Sequence, residues 1–344
     1  MLPYIIFYAI VFVLSFKVKK GKWRIWDFLL LILMVLFSSI RYGIGTDYLL
    51  YNRMYNSVSL LITKNFGTTR TGMGFTKLMY QFHDVWNLDY KVFIFLCALV
   101  TITCIFIFFK NTSNNPGRSI LIYIALGAYT SSFNGYRQYL SISILLLAFL
   151  LFQNRKYFVS ILLALISILM HSASLIPLII YLLIFRFKKF EIKPLFVLLI
   201  SILCFVFYNQ IFNYFIFLSD AYSGYATYDS IPGIGTYLTV TFYYLMYLLL
   251  LVPNRNKFDE KTKIYFNLAS IGVCIMSLQL HNWLFNRIVE MFTIFMPIVL
   301  SEYYDHINEK NNKIVSLLFH TIAFVYFIIF INSFGGVVPY TTIF

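Results

Sequence analysis

From its second residue to residue 333 the chain is a succession of apolar runs separated by more polar segments. The runs occupy roughly 2 to 16, 26 to 40, 91 to 109, 119 to 132, 137 to 152, 157 to 170, 173 to 185, 194 to 218, 237 to 252, 264 to 280, 288 to 302 and 314 to 333. Segments this apolar satisfy their backbone polar groups as helices, either in hydrocarbon or in a deeply buried core. Composition decides between the two. Of 344 residues, 60% are hydrophobic and only 12% charged, whereas a soluble domain carries about 25% charge. The expected fold is an all-α integral membrane protein, a single polytopic domain over 1–344, with about 12 transmembrane or partly spanning helices. Several runs fall short of the roughly 20 residues that cross a bilayer unaided, so tilted, broken or re-entrant segments are expected, above all beside His171.

A formal net charge of +14 would suggest nucleic acid as the partner of a soluble chain. Here topology accounts for most of it. With the N-terminus outside, the inner loops hold Lys17, Lys19, Lys20, Lys22, Arg24, Lys110, Arg118, Arg155, Lys156, Arg186, Lys188, Lys189, Lys193, Arg255, Lys257, Lys261, Lys263, Lys310 and Lys313, which is 19 of the 27 Lys and Arg. Basic residues on alternate loops mark the cytoplasmic side, so no nucleic-acid partner is expected and both termini are predicted outside. The other side keeps Arg41, Arg53, Lys64, Arg70, Lys77, Lys91, Arg137 and Arg287. The same sorting gives two long outer loops, 42–90 and 219–236, the first with short amphipathic helices at the interface, one of them near 73 to 85. The N-terminal run lacks the basic start of a signal peptide and is expected to stay attached. Cys97, Cys104, Cys204 and Cys274 fall inside apolar runs without metal-ligand spacing and read as small core residues.

Arg41, Arg137 and Arg287 each stand at the outer end of a span, where the positive-inside bias does not favour them. Four polar clusters surround them. The first runs from Arg41 through Gly43, Gly45, Thr46 and Asp47 to Tyr51 and Tyr55; Thr46 is placed to cap a helix that Asp47 opens, with the two tyrosines a turn apart on one face. The others are Asn134 to Tyr139, Met170 to Ser174, and His281 to Glu290. A planar guanidinium binds phosphate bidentately and keeps its charge in low dielectric, so three converging arginines suit a diphosphate held at the membrane boundary. Tyr51 and Trp283 offer sugar rings an apolar face with a polar edge, beside the hydrogen-bonding side chains of Gln138 and His281. Asp47, His171 and His281 are the candidates to take a proton from an acceptor hydroxyl.

Each of these residues also has a purely structural reading. An arginine at a helix end can snorkel to lipid headgroups, and Glu290, one turn from Arg287, can simply neutralise it. His171 can break a helix and bond a carbonyl. His83 and Asp84 belong to a solvated helix face, His306 and His320 fall on or near the inner side, and Asp220 and Asp229 lie in a tyrosine-rich loop where sugar contact and an ordinary loop role both fit.

Taken in order, Arg41 to Asp47 with Tyr51, then Tyr136 to Gln138, then Ala164 to Ser174, then Asn286 and Arg287 leading into a span, the chain resembles the EpsG-type branch of bacterial polysaccharide polymerases, similar in role to the Wzy O-antigen polymerases. It departs from the pattern at Thr71 to Phe75, which lacks the acidic residue often found before that Gly-Phe pair. The resemblance implies a GT-C-like, all-helical glycosyltransferase of the bacterial cytoplasmic membrane. Its donor and acceptor would be polyprenyl-diphosphate-linked glycans, joined on the outer face, with the bilayer and a chain-length regulator as further partners. Arg41, Arg137 and Arg287 would then hold the diphosphate and stabilise charge as it leaves, with Arg137 also in a catalytic role, while Asp47 or His171 activates the acceptor; no cofactor and no metal is implied.

Two other classes fit a basic, many-span protein: a flippase for a lipid-linked sugar, and a membrane ligase or O-acyltransferase acting on glycans. Transporters place polar groups at the bilayer midplane, often in repeated halves, whereas these clusters lie on one face and no internal repeat is visible. The topology is open to direct test. An accessibility tag between residues 60 and 70 should label from outside the cell; labelling only from the cytoplasm would invert the whole assignment.

Overall fold

The computed structural model describes residues 1–63, 73–187, 189–218, 232–307 and 313–343. Lys64, Arg70, Thr71, Lys188, Asp220, Asp229 and Lys310 lie outside the described residues. The described chain is helical, without a strand longer than one isolated antiparallel bridge between Arg41 and Thr342. In order the principal helices are α1 (Leu2–Ser15), α2 (Ile25–Ser39), α3 (Tyr48–Asn56), α4 (Val58–Thr63), α5 (Met73–Tyr80), α6 (Tyr90–Thr112), α7 (Pro116–Ala125), α8 (Tyr136–Gln153), α9 (Tyr157–Met170), α10 (Leu175–Arg186), α11 (Pro194–Val206), α12 (Tyr208–Leu218), α13 (Ile234–Leu245), α14 (Glu260–Ile275), α15 (Asn286–Thr293), α16 (Met296–Ile307) and α17 (Lys313–Ser333). They form two compact units, Met1–Leu182 with Asn312–Phe344, and Leu183–Asn311.

Among the described residues, five helices are long and apolar enough to cross a membrane, or seven if each of two bent pairs counts as one span. The bends have local causes. Pro297, second residue of α16, cannot donate to the carbonyl of Thr293, and there the chain turns by 52° between α15 and α16. Pro253 is accommodated differently, by a π turn over Met246–Leu251 that lets the helix from α13 continue to Lys257. The apolar run from 194 to 218 turns by 76° at Phe207. The run from 119 to 132 is broken at Gly127, which lies in the left-handed region at φ +81°. α1, α2, α9 and the Ser172–Arg186 segment are shorter apolar helices. Large side chains such as Phe158 (76% exposed), Leu195 (78%) and Ile234 (77%) face outward. A patchwork of that size is untenable against water and natural against lipid, and the chain is a multi-pass membrane protein.

In the first unit the connections sort to two ends of the bundle. At one end the turn after α1 meets the start of α7: Lys20 Nζ donates to Asn114 Oδ1 at 2.8 Å. Here Lys110, which charge sorting alone assigns to a loop, is buried in an ion pair, its Nζ 2.8 Å from both oxygens of Asp27. The Asp27 carboxylate also accepts from the Arg24 backbone at 2.6 Å, so one side chain caps α2 and neutralises α6. α2 then runs the length of the bundle to Ser39 and delivers Arg41 to the opposite end.

Removing one partner of a buried pair leaves an uncompensated charge. Asp27→Ala should therefore cost about 3–5 kcal/mol, and the double variant Asp27→Ala with Lys110→Met should recover most of it. Thermal unfolding of the purified protein in detergent measures both.

Candidate functional site

At that opposite end Arg41 is 2% exposed. Its guanidinium lies between two rings, 4.4 Å from the centroid of Phe133 and 4.8 Å from that of Tyr136. Nη1 donates to the Ser38 carbonyl and, at 2.9 Å, to the Ser38 hydroxyl, while Nε has no hydrogen-bond partner among the described residues. No carboxylate pairs with it among the described residues. A desolvated cation–π contact contributes about 2 kcal/mol, whereas withdrawing a charge from water costs several, so aromatic faces alone do not offset the burial. The pocket is built for a cation and is short of an anion.

Three strands of structure hold this arginine in place. Tyr136 opens α8, and the turn before it is fixed by Asn134, whose Oδ1 accepts from the Thr46 backbone at 2.8 Å and whose Nδ2 donates to the Gly335 carbonyl at 3.1 Å. The segment after α17 folds back beside Arg41. Tyr42 donates to the Thr341 carbonyl at 3.0 Å, Ile343 to the Ile40 carbonyl at 2.9 Å, and Gly45 to the Gly336 carbonyl at 3.2 Å. Tyr340 stacks on Phe37 with ring centroids 4.3 Å apart, and Tyr4 donates to the Val337 carbonyl at 2.7 Å. Gly45 is needed on two counts: φ is +95°, and a Cβ there would stand 2.4 Å from Asn134 Oδ1.

Asp47, rather than Thr46, occupies the cap position of α3, and its side chain does not cap; Thr46 Oγ1 instead donates to Asp47 Oδ1 at 3.4 Å. The difference is of one residue and follows from the left-handed Gly45, which delays the helix. Tyr51 packs one turn later, its ring 5.2 Å from that of Tyr136 and 5.8 Å from that of Phe75. Phe75 lies on α5, which a π turn over Gln81–Val85 prolongs, so a helix covers the 73 to 85 stretch. α5 can approach the end of α9 because residue 74 is glycine: a Cβ would lie 2.6 Å from the Leu169 carbonyl oxygen.

α9 ends at Met170, and His171 follows in an extended conformation, 7% exposed. Helical structure resumes at once, as a 3₁₀ turn over Ser172–Ser174 that leads into α10. A cluster of hydroxyls holds the break against α8: Ser141 Oγ lies 2.9 Å from Ser167 Oγ and 2.5 Å from Ser174 Oγ. Ser141 is one turn beyond Arg137, so the helix that begins with Tyr136, Arg137 and the buried Gln138 carries the His171 break on its side. Three of the four clusters expected from sequence thus gather at one end of the first unit.

The fourth belongs to the second unit. His281 is stacked on Tyr208 at 4.5 Å with 11° between the rings, with Phe205 also at 4.5 Å; its Nε2 is buried without a partner among the described residues. Arg287 lies 5.5 Å from the ring centroid of Trp283, itself 43% exposed. Asn286 links Gln279, which donates to it at 3.1 Å, to Glu290, to which it donates at 3.0 Å.

Outside the spans, burial pushes the Tyr48 phenol up to about 12, with Tyr136 adding and Arg41 opposing, and burial with the nearby Asp89 does the same at Tyr55. Both remain neutral hydrogen-bonding groups at physiological pH. Burial of Asp84 is outweighed by hydrogen bonds from Ser59 and His83, which hold its carboxyl below the usual range. Among the described residues His, Cys, Asp and Glu form no group of three or more that could hold a metal ion.

Asn134, Phe133 and the segment from Phe334 to Ile343 were not assigned roles from sequence. Their signal was faint: an Asn-Gly pair before a span, and a Gly-Gly pair after the last one.

Together these features define a multi-pass, all-helical membrane protein with a buried arginine and an aromatic cage at one end of its first unit. The chain belongs to the EpsG family, whose model matches residues 24–342; it is a family of Wzy-like polysaccharide polymerases. No curated protein and no solved structure matches the chain.

Gly43 and Gly45 both have positive φ, but a Cβ at Gly43 meets nothing within 4 Å. Gly43→Ala should cost about 1 kcal/mol, the backbone term alone, and Gly45→Ala distinctly more. Thermal midpoints of the two variants in detergent give the comparison; equal values would remove the Asn134 contact as a constraint.

Proposed function

We propose that the chain polymerises polyprenyl-diphosphate-linked oligosaccharide repeat units into surface polysaccharide on the outer face of the bacterial cytoplasmic membrane. The observation that carries this reading is the Arg41 guanidinium, buried, caged by Phe133 and Tyr136, with an unspent Nε–H and no carboxylate among the described residues. A diphosphate supplies the missing anion. Family membership supports a polymerase, and the placement of the clusters at helix ends rather than in mid-helix favours it over a transporter.

In the proposed reaction an acceptor hydroxyl attacks the anomeric carbon of the donor sugar, the bond from that carbon to the diphosphate oxygen breaks, and the diphosphate leaves on its lipid. Arg41, Arg137 and Arg287 bind it and neutralise the charge that grows on the leaving oxygen. Asp47 or His171 takes the proton of the acceptor, and Tyr51, Gln138, His281 and Trp283 contact sugar. Arginines can provide the electrostatic share of this chemistry, so transfer is expected to be metal-independent. The twelve-span, GT-C-like arrangement is part of the proposal; it requires the shorter apolar helices and the run broken at Gly127 to cross the bilayer too.

Purified protein given lipid-linked repeat units in detergent should produce a ladder of longer glycans. A negative ladder with a positive assay for transbilayer movement would favour the flippase. Arg41→Lys and Arg137→Lys keep charge but lose the planar fork, and each should lower the polymerisation rate by roughly a hundredfold. Polymer of wild-type yield and length from either variant would count against its diphosphate role.

A further inference from the structure

A cleft of ≈ 440 Å³ lies in the first unit, between α3, the π turn after α5 and the first turn of α6. None of its lining residues takes part in the chemistry proposed above. Its lining includes the half-exposed ring of Tyr42 and the amides of Asn52 and Asn87, backed by Tyr48, Tyr55 and Tyr90, whose rings are buried. The volume is within the range of about 300–1,000 Å³ typical of small-molecule clefts.

The lining selects a ligand chemistry. Tyr42 packs against the buried Tyr48 at 66° and 5.8 Å, which steadies its exposed ring at the cleft. A pyranose has the complementary surface, with C–H bonds over its faces and hydroxyls around its perimeter; aromatic faces take the first and amides the second. An isoprenoid would call for aliphatic walls, and this cleft has only Leu88. A phosphate would call for cations. Lys91 and His83 are present but Asp89 stands beside them, and His83 Nδ1 is engaged by Asp84 Oδ1 at 2.8 Å. The amides are available: Asn87 makes no side-chain hydrogen bond among the described residues, and Asn52 is engaged only through Oδ1, which accepts from Asn56 at 3.1 Å.

Position adds a second reason. Tyr42 directly follows Arg41 in the chain, and Tyr48 and Tyr90 are within electrostatic reach of its guanidinium. We propose that this cleft is a glycan subsite, holding uncharged sugar residues of a lipid-linked chain whose diphosphate sits at Arg41. The assignment rests on the polymerase reading for the source of the glycan, and on the cleft itself for the sugar chemistry.

The test uses the full chain in detergent and short oligosaccharides cut from the surface polysaccharide of the cells that carry it, free of lipid and phosphate. Saturation-transfer NMR should show saturable binding to the wild type. Tyr42→Ala and Asn52→Ala should weaken it by at least about tenfold. Tyr42 is 50% exposed, so its loss is tolerated by the fold, and Tyr42→Trp should retain binding by keeping the ring. In the ladder assay Tyr42→Ala should raise the KM for acceptor glycan with little change in kcat. No saturable binding to the wild type, equal binding by both alanine variants, or competition by inorganic pyrophosphate would overturn the subsite, even if a ladder forms. Binding that the alanine variants lose, with no ladder from the wild type, supports the subsite and overturns the polymerase reading instead.

Discussion

A guanidinium withdrawn from water, with aromatic rings in place of a counter-ion, sets the terms for everything around it in the first unit. Arg41 can be held only if Phe133 and Tyr136 arrive from the turn before α8, if Ser38 offers its carbonyl from the end of α2, and if the backbone on either side is fixed. Asn134 meets the last condition by bonding Thr46 and Gly335 with one amide. The other end of the same helix bundle solves its electrostatics in the opposite way, with Lys110 and Asp27 paired at 2.8 Å out of water. One buried cation is matched by a carboxylate and the other by aromatic rings, and that contrast sets the two ends of the bundle apart.

The helical, membrane-spanning character of the chain was plain in the sequence because hydrocarbon permits few alternatives. The helix over 73 to 85 was plain for a similar reason, an apolar face interrupted at helical spacing. Span number was not. Whether an apolar run stays straight depends on local details such as Pro297, Pro253 and Gly127, and on neighbours that accept a bend, none of which a count of hydrophobic residues registers. Lys110 shows the same limit. By position it looked like a topological charge, and only its partner, 83 residues away at Asp27, reveals an interior ion pair.

The site was legible in its charged members and not in its supports. Arg41 stood out because it broke the charge pattern, and Tyr51 because it sat a turn from Asp47. The contacts that position them join residues far apart in sequence through backbone atoms, such as Ile343 to Ile40, and backbone partners leave no mark on residue identity. The serines at 141, 167 and 174 are another example: ordinary residues in apolar helices that become a hydroxyl cluster only when two helices and a break are brought together. The cleft beside Tyr42 was missed because its rings come from three separate segments.

The fold-back of residues 334 to 343 onto Arg41 has a bearing on how the protein is made. A membrane protein is inserted from its N-terminal end as synthesis proceeds, so Arg41 enters the membrane long before Tyr340 and Thr341 exist. Until those residues arrive, the carbonyls and amides on both sides of Arg41 lack their partners, and the cage is unfinished. A chain stopped after α17 would contain all four polar clusters and still lack its working geometry. Completion of the cage around Arg41 thereby becomes a late event of biogenesis.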